Sequence, residues 1–139
     1  MNSEKMTDKT DLKVKLSILW IVVMFNMIFA DVLTLYIPEN LEEIITRSTP
    51  NQITEGLMLV MAIIIEIPIL MIFLSRVLKH KANRWTNIIA SVITIVFVVG
   101  GGSLTLHYIF FATIEVVCLS LIVWYAWKWP KHESVKVTP

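Results

Sequence analysis

The sequence contains a single cysteine, Cys118, among 139 residues. One thiol cannot form an intramolecular disulfide or a metal site built from several cysteines, so we interpret Cys118 as a small packing residue. Charged residues are also scarce: they make up 17% of the chain, whereas apolar residues make up 56%. The mean hydropathy is +0.72. These values exclude an ordinary soluble domain and place the chain in a lipid bilayer.

Other features are absent as well. The net charge of +1 comes without a basic tract or an acidic tail, so nucleic acid is not an expected partner. Zinc needs three or four converging ligands, and only carboxylates recur inside the apolar runs, so we expect no metal site and no cofactor. No internal repeat indicates an inverted-repeat transporter.

What the sequence does contain is four long apolar runs. A helix needs about 20 residues to cross ~30 Å of hydrocarbon, and four such helices account for most of the apolar residues. The sequence therefore predicts an all-α fold, an integral membrane bundle of four transmembrane helices with no second domain. The predicted spans cover about residues 16–37, 54–77, 86–101 and 106–127, within a transmembrane domain of residues 16–129.

The remaining segments are short and polar. We interpret residues 1–15 as a solvated arm and residues 130–139 as a tail. The polar loop of residues 39–53 is predicted to contain a short interfacial helix. A signal peptide cleaved near Ala30 is the alternative reading of the first run. Hydrophobicity resumes directly after Asp31, which favours a retained span.

The positive charges are distributed asymmetrically. If both termini are cytoplasmic, Arg47 is the one residue among the 12 Lys and Arg that lies outside. The positive-inside rule therefore predicts a multi-pass protein of the cell membrane with both termini in the cytoplasm. Four of the charges cluster between the second and third spans, where they either bind anionic lipid headgroups or serve only as topological anchors: Arg76, Lys79, Lys81 and Arg84.

Three carboxylates interrupt the apolar runs: Asp31, Glu66 and Glu115. A charge at membrane depth costs at least ~2.5 kcal/mol on insertion scales, so such residues are candidates for a functional site. The helical rise places Glu66 ~16 Å and Glu115 ~14 Å below the same membrane surface, near the midplane. Asn26 lies deeper than Asp31 in the first span. We therefore treat Glu66, Glu115, Asp31 and Asn26 as the candidate ligand-binding residues.

Two readings of these acids remain open. If Glu66 and Glu115 approach each other, they would share a proton at neutral pH, and the pair could exchange it with a bound cation or act as general acid and base on a lipid. Alternatively, each acid is protonated and hydrogen-bonds a neighbouring helix. Glu66 would then donate to the Ile64 carbonyl, which Pro68 leaves without a backbone donor. In either reading, Pro68 should kink the second span beside Glu66.

Three functions follow from these readings. The first is binding or transport of a small lipophilic or cationic compound at a buried carboxylate site. The second is a membrane-embedded enzyme that modifies a lipid, and the third is a structural or accessory subunit. Four helices enclose little volume, which also favours a homo-oligomer within the lipid bilayer.

One resemblance supports the architecture. The run from Glu66 to Ile89 (EIPILMIFLSRVLKHKANRWTNII), together with Phe29-Ala30-Asp31, resembles a family of small prokaryotic four-span membrane proteins of unknown function. The resemblance covers nearly the whole chain after the arm and draws attention to Asp31, Glu66 and Asn83-Arg84-Trp85, but it implies no activity.

Two further similarities concern the fold alone. Sterol isomerases and sigma-two receptors also use four to five spans, with buried carboxylates around a pocket for a lipophilic cation. Small multidrug transporters are four-span proteins of similar size. Their essential acid lies in the first span, whereas the two deepest acids here lie in the second and fourth.

Overall fold

The computed structural model describes residues 2–46 and 54–129. Within these ranges the chain forms five α-helices and no strand: α1 (Asn2–Leu35), α2 (Pro38–Thr46), α3 (Glu55–Val77), α4 (His80–Gly100) and α5 (Leu106–Lys128). Helices α1, α3, α4 and α5 are long and apolar enough to cross a membrane. The predicted all-α bundle of four membrane helices is confirmed.

Local sequence signals explain several helix boundaries. Thr54 caps α3, because its hydroxyl accepts a hydrogen bond from the Leu57 N–H at 3.2 Å. Pro38 begins α2, where a missing backbone N–H breaks no helical hydrogen bond. Helix α4 ends at Gly100, the first of three consecutive glycines. Helix α3 continues through Pro68.

The third membrane helix is longer than the sequence predicts, because it begins at His80 rather than near residue 86. Its first turns pack against the end of α5. The rings of His80 and Trp129 meet edge to face with 4.9 Å between centroids, and the Arg84 guanidinium lies 5.5 Å from the centre of the Trp127 ring. These aromatic contacts hold a basic, polar segment in helical conformation beside α5.

The N-terminal arm is also helical and runs into the first span without a break, since α1 begins at Asn2. Lys13 Nζ donates hydrogen bonds to the carbonyl oxygens of Leu78 at 2.9 Å and Arg76 at 3.3 Å. A cation at the C-terminus of a helix is favourable, so Lys13 stabilises the end of α3. The predicted tail of residues 130–139 and the side chain of Arg47 lie outside the described residues.

The four membrane helices are arranged around a square. Helix α1 packs against α3 and α5, and α4 packs against the same two helices from the opposite corner. No Cα atoms of α3 and α5 approach within 8 Å in the described helices, and the same holds for α1 and α4. The diagonal positions of α3 and α5 decide which of the candidate acids can meet.

The core lies between these helices and is built mainly from α1 and α5. Trp20 is the largest side chain that is fully buried there. Cys118 lies in the same core, as a free and buried thiol. Most other large apolar side chains face outwards, as expected of helices surrounded by lipid.

The two ends of the bundle differ in charge. We call the end with the α3–α4 connector the basic end and the end with α2 the acidic end. The basic end carries Lys13, Arg76, Lys79, Lys81, Arg84 and Lys128, and the acidic end carries Glu39, Glu42, Glu43 and Glu55.

Candidate functional site

Glu115 is the acid that the fold buries. It lies on α5, nine residues from Leu106 and therefore ~14 Å along the helix. Its side chain is only 3% exposed and makes no hydrogen bond or ion pair with any residue that the structure describes. A buried polar group without a partner requires an explanation, and an ionisable group in a membrane span marks a functional site by default.

Ser91 faces the same region from α4. The Tyr108 hydroxyl donates a hydrogen bond to the Val98 carbonyl at 2.9 Å, which fixes the register between α5 and α4. Glu115 lies seven residues, or about two turns, deeper than Tyr108 on the same face of α5. Ser91 lies seven residues deeper than Val98 on the same face of α4. Ser91 is 0% exposed, and its Oγ has no hydrogen-bond partner among the residues that the structure describes. Two buried polar side chains therefore lie without partners at one depth.

Helix α1 brings a third polar group to this depth. Thr34 Oγ1 and His107 Nε2 are 3.1 Å apart, so they join α1 to α5 near the acidic end. Asn26 lies eight residues deeper than Thr34 on α1, and Glu115 lies eight residues deeper than His107 on α5. Asn26 Nδ2 donates to the Val22 carbonyl at 2.7 Å, which leaves its Oδ1 available as an acceptor.

Asp31 is the acid that the fold brings near Glu115. It is exposed on α1, one turn deeper than Leu35, and it lies close enough to Glu115 for the two carboxylates to interact electrostatically. Asp31 thus lies at the rim of the polar region and Glu115 in its interior. Both acids belong to the candidate set from the sequence, in which Glu66 rather than Asp31 is the expected partner of Glu115.

Glu66 lies elsewhere. It is exposed on α3, diagonally opposite α5, and it makes no hydrogen bond or ion pair with the described residues. The proton-sharing pair of Glu66 and Glu115 considered above is therefore not formed within one chain. The physical reason is the order of the helices around the bundle, because equal depth on diagonal helices does not produce contact.

A second polar cluster lies closer to the basic end, and the sequence analysis did not predict it. Asn87 Oδ1 accepts hydrogen bonds from Trp20 Nε1 at 2.8 Å and from Ser75 Oγ at 3.1 Å. Asn87 Nδ2 donates to Asn83 Oδ1 at 2.6 Å, and Asn83 Nδ2 donates to the Ser75 carbonyl at 2.6 Å. These residues are buried and their hydrogen bonds join α1, α3 and α4, so we interpret this asparagine network as structural. The available signal was two asparagines four residues apart on one helix face.

The four predicted headgroup residues differ in what their side chains contact. Arg76 Nε donates to Ser17 Oγ at 3.1 Å and so helps to join α3 to α1. Arg84 turns towards α5, where its Nε is buried beside Trp127 without a hydrogen-bond partner in the described part of the chain. Lys79 and Lys81 are exposed between them. Binding of lipid headgroups by these residues stays a prediction.

The described residues also include apolar grooves, but no metal cluster. Among residues 2–46 and 54–129, no group of three or more His, Cys, Asp and Glu side chains is placed to hold a metal ion. A groove of about 390 Å³ runs between α4 and α5 near the acidic end, lined mostly by apolar side chains around Tyr108. Its size falls in the range of small-molecule sites, about 300–1,000 Å³.

Comparison with known proteins gives a family without an assigned activity. Residues 5–136 match a protein family described as a family of unknown function (DUF6326). No curated protein and no solved structure matches the chain.

Proposed function

Because the chain belongs to this family of unknown function, we propose on the geometry of its own residues that it binds a small lipophilic amine at Glu115. One observation carries the proposal: Glu115 is 3% exposed in the middle of an apolar bundle and has no partner among the described residues. A carboxylate in that position gains most from a cationic ligand, because the surrounding low dielectric strengthens the attraction between opposite charges.

Polar groups at the depth of Glu115 favour an ammonium in particular. A primary ammonium carries three N–H donors and no acceptor. Acceptor oxygens without a donor partner occur at the depth of Glu115 on two other helices, Ser91 Oγ on α4 and Asn26 Oδ1 on α1. The rest of the surroundings is apolar, since Met27 and Cys118 belong to the core on either side. A short hydrocarbon chain on the amine matches this lining.

The charge distribution favours entry from the acidic end. Asp31 is exposed at the rim, and the glutamates of α2 are exposed beyond it. Clustered carboxylates raise the local concentration of cations and speed their association. At the other end, the asparagine network closes the bundle between α1, α3 and α4. We therefore propose binding, rather than passage through the bundle.

The first prediction concerns hexylamine as the probe. Hexylamine should raise the melting temperature of the purified protein in detergent, and hexan-1-ol, which has the same chain and no charge, should not. The response should be lost in Glu115→Gln, because the amide has nearly the same shape but carries no negative charge. Thermal unfolding across a range of hexylamine concentrations measures the effect.

Glu66→Gln provides the matched control, since it removes a carboxylate of similar depth on α3 that lies outside the site. It should keep the wild-type response. An equal response to hexylamine in wild type and Glu115→Gln would remove Glu115 from the binding site. Equal stabilisation by hexan-1-ol would show that the charge plays no part.

We also propose that the protein lies in the cell membrane with both termini in the cytoplasm. The asymmetry between the basic and acidic ends supports this orientation, because cytoplasmic loops carry an excess of Lys and Arg. The second prediction uses single cysteines in a Cys118→Ala background. A membrane-impermeant maleimide should label Glu42→Cys in intact cells, and it should label Lys81→Cys only after permeabilisation. The reverse pattern would invert the proposed topology.

A further inference from the structure

The amine site proposed at Glu115 does not explain the position of Glu66. It lies in the middle of α3, eleven residues from Glu55 and eleven from Val77. An ionisable side chain is most costly at the centre of a membrane helix. Glu66 is nevertheless exposed on the outer surface of the bundle and has no partner among the described residues. In the membrane, this carboxyl needs a partner from outside the chain.

Glu66 belongs to a regular stripe of exposed residues, which we call the α3 seam. Its members follow one another at alternating spacings of four and three residues, and all of them are exposed: Leu59, Ile63, Glu66, Leu70, Phe73 and Val77. The buried residues of α3, Pro68, Met71 and Ser75, lie on the opposite side of the helix. Alternation of three and four residues is the spacing by which two helices pack along their full length.

From this seam we propose that the protein forms a dimer, in which α3 packs against α3 of a second copy and the two Glu66 carboxyls share a proton. Two copies inserted in the same direction are related by a twofold axis along the membrane normal, so each seam residue meets its own equivalent. The two Glu66 side chains then lie at one depth.

The charges of the chain favour a second copy. Among the membrane spans that the structure describes, no Lys or Arg lies near the midplane to neutralise Glu66. A protonated carboxyl can donate a short hydrogen bond to an ionised one, so a pair of glutamates needs no added cation. A single polar residue within an apolar helix seam also fixes the register and the number of helices. Glu66 therefore sets the register of the dimer and also requires the second copy as its partner.

Disulfide cross-linking tests the geometry, in a Cys118→Ala background. Leu59→Cys and Val77→Cys lie at the two ends of the seam, and each should give a covalent dimer on mild oxidation in native membranes. Val96→Cys is the control, since Val96 is 67% exposed on α4 but lies outside the seam. It should stay monomeric. Absence of dimer at both seam positions, or equal dimer at Val96→Cys, would overturn the proposal.

Charge reversal at Glu66 tests the pairing of the two side chains. Native mass spectrometry should find wild type and Glu66→Gln as dimers, because two amides can hydrogen-bond each other, and Glu66→Lys as a monomer. Co-expression of Glu66→Lys with a differently tagged wild type should give mixed dimers through a Lys–Glu pair. A Glu66→Lys homodimer as abundant as the wild-type dimer would contradict the role of Glu66. Mixed dimers also show that Glu66→Lys folds.

Discussion

Replacing Asn87 with leucine should lower the stability of the bundle by about 2–3 kcal/mol, because the change leaves several buried groups without partners. Trp20 Nε1 and Ser75 Oγ would lose their acceptor, and Asn83 Oδ1 would lose its donor. Leucine has the same branched shape and is not smaller, so the loss should come from these unsatisfied groups rather than from a cavity. Thermal unfolding in detergent, followed by circular dichroism, measures the effect.

Thr86→Val is the control for this substitution. The Thr86 hydroxyl bonds only to the Ala82 carbonyl of its own helix, at 2.8 Å and in an exposed position. Its removal should leave the melting temperature close to that of wild type. Equal melting temperatures for Asn87→Leu and wild type would show that the asparagine network does not hold α1, α3 and α4 together.

Glu115→Met should have the opposite effect on stability, and it should abolish the hexylamine response. Methionine approximates the length of the side chain without the carboxyl, so it removes a buried polar group that has no partner in the described protein. The expected gain is about 1–2 kcal/mol for the ligand-free protein. Functional sites often lower the stability of the fold that carries them, and their replacement commonly raises it.

The same thermal unfolding experiment distinguishes the two readings of Glu115. If the carboxyl joins helices, Glu115→Met should melt below wild type, as Asn87→Leu should. A melting temperature above that of wild type, together with loss of the hexylamine response, is the result that a ligand site predicts. A lower melting temperature would assign Glu115 to the structure of the bundle.

The membrane architecture could be predicted because it depends on the length and hydropathy of single segments. Four apolar runs define four spans, and the helical rise gives the depth of each acid. The start of α4 at His80 was missed, because contacts between Arg84 and Trp127 depend on the neighbouring α5.

The pairing of the acids could not be predicted for a different reason. Glu66 and Glu115 share a depth, but the lateral order of the helices places α3 diagonally opposite α5. Membrane helices are apolar on most faces, so periodicity gives little information on which faces meet. The candidate set was therefore divided by the fold, with Asp31 and Asn26 at or near the level of Glu115 on α1 and Glu66 on the outer surface.

Ser91 and Asn87 illustrate the same point. Each is a small polar residue in the third membrane helix, and the sequence does not distinguish their roles. The structure gives Asn87 hydrogen bonds to two other helices, whereas Ser91 Oγ has no partner within residues 2–46 and 54–129. Asn87, whose side chain is hydrogen-bonded, therefore belongs to the proposed framework of this protein. Ser91, whose hydroxyl is not, belongs to the proposed site.

The most direct test of the amine site is native mass spectrometry of the protein extracted gently from its own membrane, with Glu115→Gln beside wild type. The account predicts a discrete bound amine of low mass in wild type and its absence in Glu115→Gln, with the same oligomeric state in both. Bare protein in both samples, or the same bound molecule in both, would contradict a ligand site at Glu115.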